Sequence, residues 1–220
     1  MVVGIRRASR ALGLNRLISA FRSGGYETGY DNSLSSAIFA GDVVWDIGAN
    51  VGYYTTRFAR QVGPTGAVVS FEPSATNFRR LSAACAGLNH VQLKAFGLGE
   101  TEGVVSFCQG DDDIGATSRV VEGSQDGEHV DIRVGDIEIE RGLPPPNVLK
   151  IDVEGYEGEV LAGLSRLIAS PLLRAIGVEV HFGILDQRGR GFVANQIESS
   201  LTNAGFRVTW PDSSHLLALR

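Results

Sequence analysis

VVWDIGANVGYYT, residues 43–55, decides the architecture. It opens as a short apolar run, turns at Asp46 and Gly48, and passes Asn50 and Gly52 into a stretch suited to a helix over 51–61. A buried strand, a tight turn and a helix make the first half of a βαβ unit. In open α/β sheets the turn after such a strand lies at the carboxyl end, where ligands bind. Glycines there remove side chains where a ligand must approach the backbone, and the helix that follows presents free N–H groups. The spacing is D-x-G-x-N-x-G rather than GxGxxG. No GxxxxGK[ST] occurs anywhere, which argues against a P-loop ATPase or kinase.

Working outward, AVVSFEP at 67–73 reads as a second strand stopped by proline, with Ser74 capping a helix over 74–87. VQLKA at 91–95 is a third strand, NVLKIDVEG at 147–155 a fourth with its exit turn, and AIGVEVHF at 175–182 a fifth. Helices are predicted over 157–169 and from about 192 to 203. FRVTW (206–210) and HLLALR (215–220) read as a terminal antiparallel hairpin. The fold class is therefore α/β: a doubly wound, mostly parallel, seven-stranded sheet. Residues 1–40 form a helical extension, with helices over 5–22 and 31–40, and residues 41–220 the ligand-binding domain. Residues 103–108 and 130–134 look extended, around a long polar loop of the kind that serves as a lid or substrate wall.

The 220 residues carry a net charge of −5, which argues against a nucleic-acid partner. Cys85 and Cys108 make no disulfide framework and read as buried thiols in a reducing compartment. No stretch is long and apolar enough to span a bilayer, so a cytoplasmic protein is expected. The N-terminal helix could cover the active site or form a homodimer contact.

Glu72 ends the second strand. A carboxylate there can accept both hydroxyl hydrogens of a ribose, so it signals an adenosine-type ligand; nicotinamide cofactors use the same logic. Asp152 and Glu154 alternate along the fourth strand's exit and would share one face if extended. His181 ends the fifth strand, with Glu179 two residues earlier, and an unperturbed imidazole suits a general base near neutral pH. Asp152, Glu154, Glu179 and His181 could supply a hard-ion site, but no compact ligand motif is present and no metal is assigned. Glu157 and Glu159 read as solvated or helix-start carboxylates. His90, His129 and His215 have no visible site context. Asp111–Asp113 reads as exposed loop. Tyr26, Tyr30, Tyr53 and Tyr54 flank the glycine-bearing loop; one or two could cover the active site or touch the acceptor, and ordinary ring packing is the alternative for each.

WDIGANVGYYT (45–55), SFEPSATNFRRL (70–81), VLKIDVEGYEGEVLAGL (148–164) and EVHF (179–182) together resemble the FkbM family of S-adenosylmethionine-dependent methyltransferases. The resemblance implies a class I, Rossmann-like methyltransferase fold with S-adenosylmethionine as cofactor. It places Asp46, Gly48, Asn50 and Gly52 against the amino-acid and sulfonium part of that cofactor, and Glu72 on the ribose. Pro73, Ser74 and Asn77 would lie near the ribose and adenine, and Ser118 would line the pocket. Asp152 would serve the cofactor, the acceptor or both, with Glu154 and His181 as the remaining catalytic candidates. The implied reaction is O-methylation of a hydroxyl on a sugar or natural-product small molecule. The chain departs from the family pattern at VGDIEIE (134–140), where only Asp136 remains of the T-L-D-like stretch that family members often carry before the fourth strand. An NAD(P)-dependent oxidoreductase and a non-catalytic nucleoside-binding scaffold are the rival readings, and the missing GxGxxG and the KIDVEG segment tell against the first.

Overall fold

The computed structural model describes residues 28–108, 119–121 and 128–220. The helix expected over 5–22, Tyr26, Asp111–Asp113 and Ser118 lie outside them. The first element is α1 (Thr28–Ser36). Then come β1 (Val43–Ile47), α2 (Tyr53–Val62), β2 (Ala67–Phe71), α3 (Ala75–Ala84) and β3 (Val91–Lys94). After short β4 (Gly97–Leu98), β5 (Gly103–Cys108), β6 (Arg119–Val121) and β7 (Glu128–Arg133) build an outlying sheet. The chain continues through α4 (Gly135–Glu140), β8 (Val148–Ile151), α5 (Glu157–Ala162), α6 (Ser165–Ala169) and β9 (Ala175–Glu179). It closes with α7 (Phe182–Gln187), α8 (Val193–Asn203), β10 (Arg207–Thr209) and β11 (His215–Leu219).

The main sheet has seven strands in the order β10-β11-β9-β8-β1-β2-β3. β11 is antiparallel to both of its neighbours, so the expected hairpin is present and its second strand also inserts beside β9. The outlying sheet, ordered β4-β7-β5-β6, confirms extended chain at 103–108 and adds a third strand, Arg119–Val121, within the stretch read as loop. Short α4 lies between the outlying sheet and β8.

Strand periodicity divides the side chains cleanly. Trp45, Ile47, Val69, Phe71, Leu149, Ile151, Ile176 and Val178 join the large core cluster with residues of α5 to α8. On the opposite face Val44, Val68, Val148 and Ala175 pack with Tyr30, Leu34 and Phe58 of α1 and α2. Each large apolar side chain so buried contributes about 1.5–3 kcal/mol. Farther along the strands this second face turns polar. Ser70, Asp46, Lys150, Gly177 and Leu217 stand side by side in register across β2, β1, β8, β9 and β11.

The helix expected over 157–169 is two helices. Gly163 separates them, where an added Cβ would lie 2.0 Å from the carbonyl oxygen of Gly99. Asp136 anchors the second of them. Its Oδ2 accepts from the Arg166 N–H at 2.8 Å and its Oδ1 from the Leu167 N–H at 3.0 Å. The acid kept at VGDIEIE is thus a helix anchor. Asp136→Ala should cost about 1–2 kcal/mol by orphaning two N–H groups. Urea denaturation reads this directly; a change below about 0.3 kcal/mol would show that water replaces the carboxylate at no cost.

Candidate active site

The site is built at the carboxyl ends of β1, β2, β8 and β9. Gly48 has φ +79°, and a Cβ there would lie 1.8 Å from the Asp152 carbonyl oxygen. Glycine is required because the exit turn of β8 presses on the loop, a reason other than ligand approach. Asn50 follows with φ +51°, and Gly52, φ +93°, is the N-cap of α2 and offers no capping side chain. The positive end of that helix, with no side chain capping it, favours an anionic group.

Glu72 is buried, and its carboxylate ties two cofactor-side segments together. Oε2 accepts from the Asn50 N–H at 2.8 Å and Oε1 from the Ser74 N–H at 2.9 Å. Burial pushes its pKa up to about 7, against the pull of these two N–H groups. Each oxygen keeps a second lone pair for a hydroxyl. Ser74 caps α3 through the Asn77 N–H, and Pro73 and Phe78 line a cleft of about 410 Å³ with Glu128 and Asp131. Oδ1 of Asn50 and Oδ1 of buried Asn77 have no hydrogen-bond partner among the described residues. A buried carboxylate with spare lone pairs and two orphaned amide oxygens fit a ribose and an adenine.

Asp46 is fully buried and engaged by the protein. Its Oδ2 accepts from Thr55 Oγ1 at 2.6 Å, and its Oδ1 forms an ion pair with Lys150 Nζ at 3.2 Å. Lys150 also donates to the Gly48 carbonyl at 3.0 Å and stands 3.4 Å from Oδ2 of Asp152. Burial opposes the ammonium, but Asp46 and Asp152 overcome it and hold the pKa above the usual lysine value. Sequence reading passed over Lys150. The available signal was a charged residue inside VLKI, a strand whose four residues are all buried, where a cation must be paired.

Asp152, Glu154 and His181 come together, each offering an atom within 4.8 Å of the others'. They do not share a strand face as expected: β8 ends at Ile151, and Glu154 sits in a turn with φ +49°. Glu157 is fully buried rather than solvated, and its Oε1 lies 2.6 Å from His181 Nδ1 and accepts from the Gly155 N–H at 3.0 Å. Glu159 pairs with Arg190. Burial disfavours the imidazolium, yet Glu154 and Glu157 hold the His181 pKa well above the ordinary histidine value. The imidazole expected to be unperturbed is therefore shifted upward by the carboxylates that surround it. Burial raises both Asp152 and Glu154, opposed by Lys150 at the first and by His181 at the second.

His215 has a site context after all. Its Nδ1 is 2.8 Å from Oδ2 of Asp212 and its Nε2 3.5 Å from Oε2 of Glu179, and it stacks on Tyr30 at 4.1 Å. Burial works against its charge, but the two carboxylates lift its pKa to about 9. Burial would raise Glu179, and His215 and His181 bring it down to about 2. Tyr30 is 1% exposed, Tyr54 donates to Asp31 at 2.7 Å, and Tyr53 is exposed beneath Arg57. Cys85 is a buried free thiol, and among the described residues no helix is long and apolar enough to cross a membrane.

Residues 46–208 match the Methyltransferase FkbM domain family. A hexuronic acid methyltransferase of Haloferax volcanii is 33% identical over 147 residues, covering 65% of this chain and 57% of that protein, so the match spans little more than half of the relative's length. Methyltransferase FkbM of Methylobacillus flagellatus superposes with a TM-score of 0.56 at 17% identity, over 83% of this chain and 44% of that one. A Clostridium thermocellum structure described as a putative rRNA-methylase gives 0.53 at 15% identity, over 85% and 89%. At such identities the two structures speak for the fold alone. With the strand order, the glycine loop, the buried Glu72 and the family match over 46–208 in agreement, this chain belongs to the FkbM methyltransferase family, and its cofactor is S-adenosylmethionine.

Proposed function

We propose that the protein transfers a methyl group from S-adenosylmethionine to a hydroxyl oxygen of a sugar or natural-product small molecule. The convergence of Asp152, Glu154 and His181 beside the cofactor loops carries this reading. When bound, the cofactor supplies a methyl group on a sulfonium, already activated for in-line displacement. The chain's own residues then have three tasks: to hold the cofactor, to orient the acceptor oxygen and to take up its proton. Glu72 and the orphaned amide oxygens of Asn50 and Asn77 hold the nucleoside. Asp152, Glu154 and Glu179 offer carboxylate oxygens that match the donors of a polyhydroxylated ligand. The burial-raised carboxyl of Glu154 binds a proton more tightly than an ordinary carboxylate, which suits a proton acceptor. The relative named for a hexuronic acid supports a sugar acceptor.

The test joins binding to turnover. Calorimetry should show S-adenosylhomocysteine binding about tenfold more tightly at pH 8 than at pH 6, because the ribose hydroxyls need the ionised Glu72, whose pKa is about 7. Glu72→Gln should bind more weakly and lose this dependence. With a panel of neutral sugar acceptors, S-adenosylhomocysteine release should fall at least about 100-fold in Glu154→Gln. Failure of the folded protein to bind the nucleoside would sink the reading, and methyl transfer to nitrogen alone would sink its hydroxyl part.

A further inference from the structure

The same cluster has a geometry that hydrogen bonding does not account for. Around His181 Nε2 stand Oε2 of Glu154 at 3.4 Å, Oδ1 of Asp152 at 3.6 Å and Oε1 of Glu179 at 4.0 Å. All three are longer than an N–H···O bond of about 2.7–3.2 Å. They match the spacing of ligands around one hard cation, since donors at about 2.1–2.4 Å from a common centre lie about 3–4.5 Å apart. Buried Glu157 meets the other ring nitrogen, Nδ1, at 2.6 Å. A carboxylate in that place orients a metal-ligating histidine and directs its second nitrogen at the ion.

Two further observations point to something between these groups. Among the described residues Oε2 of Glu154 is a buried atom that accepts no hydrogen bond of normal length. The Tyr30 hydroxyl, on a side chain 1% exposed, is also unpartnered among the described residues, and its ring stacks on His215, whose Nε2 is 3.5 Å from Oε2 of Glu179. A water in the ion's coordination sphere would give that hydroxyl an acceptor. Lys150 does not fill the place, because it stands at Oδ2 of Asp152 and leaves Oδ1 to the cluster.

We propose that Asp152, Glu154 and His181 bind one divalent cation of the magnesium or manganese class, with Glu179 at the edge of its coordination sphere. Two carboxylates and one imidazole suit Mn²⁺ and Mg²⁺. If the methyl-transfer reading holds, the ion polarises the acceptor hydroxyl and eases loss of its proton; the binding itself does not depend on that reading.

The experiment is a Mn²⁺ titration of the EDTA-treated full chain, with free ion read by electron paramagnetic resonance. S-adenosylhomocysteine calorimetry and thermal melts are run on the same samples. One Mn²⁺ should bind per chain, at least tenfold more weakly in Glu154→Gln and in Asp152→Asn and undiminished in Glu100→Gln, an exposed control. Glu154→Gln keeps the size of the side chain and so guards against loss of fold. Absence of stoichiometric Mn²⁺ binding in protein that binds the nucleoside overturns the proposal, as does binding that the first two variants leave unchanged. Mn²⁺ binding without nucleoside binding upholds the cation site and removes the methyl-transfer reading instead.

Discussion

Alanine at position 48 is expected to cost about 3–5 kcal/mol of stability, from a left-handed backbone that a side chain opposes and from overlap with a neighbouring strand exit. The overlap is severe, since the new Cβ would lie 1.8 Å from the Asp152 carbonyl oxygen, backbone that cannot swing aside like a side chain. For a chain of this size the melting temperature should fall by about 6–20 °C. Gly63→Ala supplies the control. That residue also has positive φ, +66°, with ψ −174°, a conformation almost confined to glycine, but a Cβ there meets nothing within 4 Å, so only the backbone cost of about 1–3 kcal/mol remains. Equal losses in the two variants would show that the packing of the β8 exit against the loop is not what demands glycine.

Lys150→Met should be about as damaging, at about 3–5 kcal/mol, because it leaves the fully buried Asp46 without a counter-ion. The variant also removes the donor to the Gly48 carbonyl and frees Asp152 from its tether, so nucleoside binding should weaken with stability. Adding Asp46→Asn to Lys150→Met should restore part of the loss, since the buried charge is then gone as well. Urea denaturation of the two single variants and the double variant measures the coupling. A Lys150→Met protein within about 1 kcal/mol of the parent would mean that water reaches Asp46.

The parts of the fold legible in the sequence are those governed by local pattern. VVWDI, AVVSF and AIGVE are apolar runs ended by turn residues, and each became a strand of the parallel sheet. The Ser74 cap was equally plain. Long-range contact hid the remainder. At Gly163 the glycine is the local mark, and the close approach of the Gly99 carbonyl from another part of the chain, which leaves no room for a Cβ, is visible only in the structure. His215 acquires its role only because β11 lies beside β9, a matter of topology. Asp152, Glu154 and His181 were readable as neighbours because they follow the ends of two strands expected to be adjacent. Glu157 was not, because a glutamate in the first turn of a helix is usually wet and here its carboxylate is turned inward onto the imidazole. The carboxylates that raise His181 were hidden for the same reason, since burial among carboxylates is invisible in a list of residue types.

The two faces of the central sheet differ in kind, and this gives the molecule a practical asymmetry. Trp45, Phe71, Leu149 and Val178 point into an apolar interior, while Asp46, Ser70 and Lys150 look the other way. Redesign can therefore proceed by side. Volume-conserving exchanges beneath α5 to α8 tune robustness without altering any ionic contact. On the reverse side, where Asp46, Thr55, Ser70 and Lys150 interlock toward the carboxyl ends of the strands, a workable variant must replace those polar groups as a set.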